Sequence, residues 1–146
     1  MGLDMFLYNK QQQEVGYWRK ANAIHNWFVQ HVQAGQDDGN SYPVTHDHLQ
    51  GLLDIVNKVL EATKLVSGTV HVGDRGTKDG WEPILKQGLT VEDSTVAQNL
   101  LPTQSGFFFG STDYDEFYVQ NLQHTKEVLE KALQDKSESY TYWASW

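Results

Sequence analysis

The 146 residues predict a single α+β domain spanning residues 1–146, a small, mostly antiparallel sheet with both termini as strands, packed by about three helices. Three observations carry this prediction. The length suits one core, and 39% hydrophobic residues are enough to fill it. Both ends of the chain alternate in the period of a strand. Between them, three long stretches place apolar residues at the three-to-four spacing of a helix with one buried face.

The first strand is "LDMFLY", with Leu3, Met5 and Leu7 on one face and Phe6 and Tyr8 on the other. "NKQQQE" is a polar turn. Glu14 to Gln33 then reads as a helix whose stripe is Tyr17, Ala21, Ile24, Phe28 and Val32. Glycines and Pro43 in "AGQDDGNSYP" end it. A second helix opens at Thr45, an N-cap residue type, and buries Leu49, Leu52, Leu53, Val56, Val59 and Leu60. Residues 67–90 are less regular: "GTVHV" reads as a short strand, "GDRGTKDG" as a turn, and "WEPILKQG" as a strand or irregular chain. "VEDSTVAQNLLPT" holds a short helix ending before Pro102, and "GFFFG" (Gly106 to Gly110) reads as a buried strand. The third long helix runs through "STDYDEFYVQNLQHTKEVLEKALQDK", with Phe117, Leu122, Val128, Leu129 and Ala132 inward. The last strand, "SYTYWASW", sets Tyr140, Tyr142, Ala144 and Trp146 against Thr141, Trp143 and Ser145.

The chain carries a net charge of -8. Phosphate backbones require clustered Lys and Arg, so direct nucleic-acid binding is disfavoured, whereas an acidic surface suits solubility, or a basic protein partner reached by steering. Cysteine is absent, which removes disulfides and thiolate chemistry and fits a cytoplasmic location. No apolar run reaches the ~20 residues of a membrane helix, and "MGLDMFLYNK" lacks the basic lead-in of a signal peptide. Neither a membrane nor a cofactor is expected.

Gly110, Ser111 and Thr112 before a helix have the form of a phosphate cradle. Asp113, Asp115 and Glu116 argue against that use. They already supply the negative charge a helix start favours, no Lys follows the glycines, and Asp113–Glu116 or Thr112–Asp115 has capping-box spacing. In "YWRKANAIHNW", helical spacing puts Trp18, Asn22, His25 and Val29 on one face, with Arg19 and Lys20 beside them. "THDH" places His46 and His48 near Asp37 and Asp38. Positions two apart on a helix point in different directions, so no metal site is expected there. "VHVGDRG" adds an isolated His71, Asp74 and Arg75 in an expected loop.

Four blocks, "MGLDMFLY", "YWRKANAIHNWF", "LLPTQSGFFFGSTDYDEFY" and the "YWASW" end, resemble a family of small, uncharacterised proteins encoded by bacteriophages and prophages. The resemblance implies an origin rather than an activity. Small acidic phage proteins often inhibit or decoy host machines, including nucleic-acid-handling and defence proteins with basic surfaces, in the host cytoplasm.

Two functional expectations follow. A protein-binding surface would use Asp113, Asp115, Glu116 and Tyr118 with Tyr114 close by, and would involve no catalysis. Alternatively, a ligand-binding or enzymatic pocket between the first helix and the Phe strand would gather Arg19, Asn22, His25, Ser111 and Tyr114. The sequence leaves the oligomeric state open.

Overall fold

The computed structural model describes residues 2–106 and 109–146. Among them the elements run β1 (Asp4–Tyr8), β2 (Glu14–Arg19), α1 (Asn22–His31), β3 (Tyr42–Val44), α2 (His46–Glu61), β4 (Leu65–Thr77), β5 (Gly80–Val91), α3 (Thr95–Leu100), α4 (Glu116–Leu133) and β6 (Tyr140–Ser145). Two antiparallel sheets result, one ordered β2-β1-β6-β3 and one made by β4 and β5 alone. The α+β class and the terminal strands stand as the sequence indicates. The two ends of the chain pair with each other, from Asp4 opposite Ser145 to Tyr8 opposite Thr141.

One face of the four-stranded sheet is the floor of the core. Met5, Leu7, Trp18, Tyr140, Tyr142 and Ala144 project from it, and Ile24, Phe28, Leu49, Leu52, Val56, Leu122 and Leu129 of the helices cover it. Tyr142 stacks on Phe28 at a centroid distance of 4.0 Å. Two buried polar groups find partners here: the Trp18 indole donates to Thr125 Oγ1 at 2.8 Å and the Tyr140 hydroxyl to the Ala132 carbonyl at 2.7 Å. The other face carries Phe6, packed 5.3 Å from Trp143 and 5.2 Å from Tyr17, with Tyr8 stacked alongside.

The first expected helix divides. Glu14–Arg19 is a strand, and only Asn22–His31 is helical. Tyr17 fits a helical stripe with Ala21, Ile24 and Phe28, yet it is 40% exposed. The inner face of β2 is instead Gly16 and Trp18, residues two apart, and the polar turn after β1 lets β2 pair back on it. Lys20, at φ 56°, is the corner between strand and helix. The second helix matches expectation, including its cap. Thr45 Oγ1 accepts from the His48 amide at 3.1 Å, while the Thr45 amide donates to His48 Nδ1 at 3.2 Å. Residues 65–91 form one long hairpin: "WEPILKQG" takes the strand alternative, both strands run longer than expected, and Arg75, expected in a turn, lies in β4 and pairs across it with Glu82. The His71 side chain lies outside the described residues. Of the expected Phe strand, Phe107 and Phe108 also lie outside them. Phe109 is buried, but neither it nor its described neighbours Gly106 and Gly110 belong to a strand.

Candidate functional site

The residues expected to form a pocket are only partly brought together. Arg19, Asn22 and Ser111 line a cleft of about 720 Å³ whose walls are the β2–α1 corner, the loop before α4, the first turns of α4 and residues Val72–Asp74 of the hairpin. His25 and Tyr114 are not among its lining residues.

Each of these groups has work inside the fold. Asn22 is 3% exposed, and its side chain clips the loop before α4. Its Nδ2 donates to the Phe109 carbonyl at 3.1 Å and the Ser111 carbonyl at 2.8 Å, and its Oδ1 accepts from the Gln104 amide at 2.9 Å. Arg19 donates to Asp4 Oδ1 at 2.7 Å, beside the Tyr17 hydroxyl, which donates to the same oxygen at 2.6 Å. Tyr17 first and Arg19 second hold the Asp4 carboxyl below the usual range. Ser111 Oγ accepts from the Asp113 amide at 3.0 Å. The Tyr114 hydroxyl accepts from the Thr103 amide at 3.1 Å.

His25 is 1% exposed and stands in a chain of polar groups. Its Nε2 lies 2.9 Å from Asp37 Oδ1, and its Nδ1 lies 2.6 Å from the Tyr142 hydroxyl. An ionised Asp37 accepts only, so Nε2 carries the proton and donates to it, leaving Nδ1 to accept from Tyr142. Burial lowers the pKa of His25 against the opposing pull of Asp37. Burial also pushes the Tyr142 phenol well above its usual value. The chain resembles a base activating a hydroxyl, but Tyr142 is 0% exposed and no substrate reaches it. Its chemistry is structural: it ties α1 to the last strand and to the loop after α1.

The acidic residues expected to form a binding surface separate into two kinds. Asp115 is 3% exposed and is itself the N-cap of α4, accepting from the amides of Phe117 at 3.0 Å and Tyr118 at 3.1 Å. Neither expected capping box forms. Burial raises the Asp115 pKa, opposed by those two bonds. Tyr118 is likewise buried, donating to the Leu101 carbonyl at 2.8 Å, and burial raises its pKa. These two side chains do not belong to a surface. Asp113 is exposed, Glu116 is half-buried, and Phe117, expected inward, is 51% exposed.

The topology adds neighbours that the sequence does not signal. Thr90 bridges Asp115 in antiparallel sense, and the Val91 amide donates to the Tyr114 carbonyl at 3.1 Å. This crossing carries the exposed Glu92 and Asp93 to the segment that holds Asp113 and Glu116. Lys64 is near, 3.8 Å from Glu92. The hairpin also exposes Trp81, Leu85 and Leu89. Asp79-Gly80 at its tip is a hairpin signal that could have located it.

The histidines of "THDH" are spent as well: His48 completes the α2 cap, and His46 Nε2 donates to the Asp135 carbonyl at 3.1 Å. Among the described residues no group of three His, Asp or Glu is placed to hold a metal ion, and no helix is long and apolar enough to cross a membrane. Comparison with protein-family models, with curated proteins and with solved structures finds no match.

Proposed function

We propose that this protein is a phage-encoded binding protein that occupies a basic surface on a host protein in the host cytoplasm, without touching nucleic acid itself. One observation carries the reading. The exposed Phe117 and Asp113 line one wall of the cleft, and the Thr90–Asp115 bridge brings the backbone of the exposed Glu92 and Asp93 beside the segment that leads into α4, an apolar anchor close to carboxylates. The groups that could have performed chemistry, Asn22, His25, Tyr114 and Tyr118, all hold hydrogen bonds within the fold. The resemblance to phage proteins supplies the host as the source of the partner, and a nucleic-acid-handling or defence machine has the basic surface that this edge would meet.

The test is capture from host lysate by the tagged chain, at low and high salt. The reading expects one stoichiometric host protein, released by salt and lost with Phe117→Ala combined with Asp113→Lys. Both positions face solvent, so circular dichroism of the double variant should match the parent. A partner that the double variant retains, or that salt does not release, contradicts the reading.

A further inference from the structure

Asp115 caps α4 with only half of its carboxyl group. Oδ1 accepts both the Phe117 amide at 3.0 Å and the Tyr118 amide at 3.1 Å. Among the described residues Oδ2 has no hydrogen-bond partner. The residue is 3% exposed, so this acceptor is withdrawn from bulk water with nothing in its place. Yet Oδ2 is not sealed. The unpartnered side-chain atoms that are closed off entirely, among the described residues, are Trp27 Nε1 and Asn57 Oδ1. The opening left to Oδ2 is the cleft, which Asp115 lines.

The surroundings of that oxygen select what it would accept from. Asp113, an exposed carboxylate, and Phe117, 51% exposed, line the cleft with it. Asp74 adds a carboxylate from the hairpin, and Arg19 and Lys20 stand on the wall made by the β2–α1 corner. Three carboxylates thus meet two cations, of which Arg19 is already bound to Asp4 at 2.7 Å. Burial raises the Asp115 pKa, and the charges of Asp113 and Glu116 add to the rise. A cation reaching Oδ2 would relieve that penalty, whereas an anion would deepen it. A bare metal ion lacks its ligands, because no group of three His, Asp or Glu among the described residues is placed to hold one. An organic cation with a flat body suits both the oxygen and the ring.

We propose that the α4 wall of the cleft is a socket for one arginine side chain of the host protein, its guanidinium donating to Asp115 Oδ2 and lying against Phe117. This rests on the binding reading and names what the partner's basic surface must present there. Arginine suits the socket better than lysine. Its guanidinium is more weakly hydrated than an ammonium, stacks on aromatic rings, and has five donors from which to serve one free oxygen. The exposed Asp113 attracts the charge and the buried Asp115 holds it. The cleft, at about 720 Å³, has room for a side chain along this wall alone.

Nuclear magnetic resonance of the free chain tests the socket without any host protein. The probe is arginine blocked at both ends. Its controls are blocked citrulline, the neutral isostere, and blocked lysine, of equal charge. Arginine should shift the Phe117 and Tyr118 amide signals saturably, with Kd on the order of millimolar. Lysine should bind about fivefold or more weaker, and citrulline should give no shift. Asp115→Asn keeps an oxygen for both amides, so circular dichroism should match the parent while arginine binding falls about tenfold or more. Phe117→Ala should weaken it about two- to fivefold. Equal binding of lysine, a matching response to citrulline, or arginine binding that Asp115→Asn leaves intact overturns the proposal. So does the absence of any shift at these two amides up to about 50 mM arginine probe. The two readings fail separately. If the free chain ignores arginine but lysate capture still recovers a salt-released host protein, the socket falls and the binding protein stands. If arginine binds as expected but nothing is captured, the host partner falls and the guanidinium site stands.

Discussion

Replacing Tyr142 with phenylalanine isolates one hydrogen bond in the middle of the core. The stack on Phe28 at 4.0 Å survives, and the volume lost is a single oxygen. What disappears is the 2.6 Å bond to His25 Nδ1, leaving a buried acceptor on a residue 1% exposed. An orphaned group of that kind costs roughly 1–3 kcal/mol. For a chain of this length each kcal/mol lowers Tm by about 2–4 °C, so a loss of about 2 kcal/mol means about 4–8 °C. Removing the acceptor too, in His25→Phe with Tyr142→Phe, should restore part of the loss, since both partners then become apolar and Asp37 keeps access to water. Urea denaturation of the wild type, both single variants and the double variant closes the cycle. A Tyr142→Phe cost below about 0.5 kcal/mol, or a double variant weaker than the sum of the singles, refutes the reasoning. The same network fixes a pH dependence. Burial holds the His25 pKa below the value near 6.5 that it has when unfolded, so the unfolded chain binds the extra proton. Its contribution to stability is complete above about pH 6.5 and drains as pH falls toward the folded pKa. Subtracting the stability profile of His25→Phe from that of the wild type should give a difference that declines across this window. A flat or rising difference contradicts it.

Two further perturbations follow from the packing. Asn22→Ala removes three bonds from a buried side chain and should cost roughly 2–4 kcal/mol, with faster hydrogen exchange at the Gln104 amide as the local signature. Gly16→Ala would place a Cβ 2.7 Å from Val128 Cγ1, so denaturation should show a loss of about 1–3 kcal/mol from overpacking between β2 and α4.

How far the sequence discloses this fold depends on whether each segment has one buried face. The terminal strands alternate cleanly because Met5, Leu7, Tyr142 and Ala144 all reach the core while their neighbours do not. The α2 cap and the buried faces of α2 and, Phe117 apart, of α4 were legible for the same reason. β2 was not, because Tyr17 satisfies the helical spacing of α1 although the backbone between them turns at Lys20. The three-residue β3 contains Pro43 and is too short to show a period. The hairpin hid because most of its side chains meet water on both faces, so its apolar residues obey no core-facing alternation. At the candidate site, the polar character of Asn22 and His25 was evident, but their partners were not. Gln104 and Phe109 lie 82 and 87 residues from Asn22, and Tyr142 lies 117 from His25. Only the folded chain reveals that these groups are already occupied.

The proposed acidic edge is tested most directly by hydrogen exchange of the full chain, alone and with any host protein that the lysate capture recovers. Slowed exchange at residues 92–93 and 113–117, with residues 19–24 along the cleft unchanged, is the predicted result. Protection confined to residues 19–24, or none at residues 92–93 and 113–117, would contradict the account.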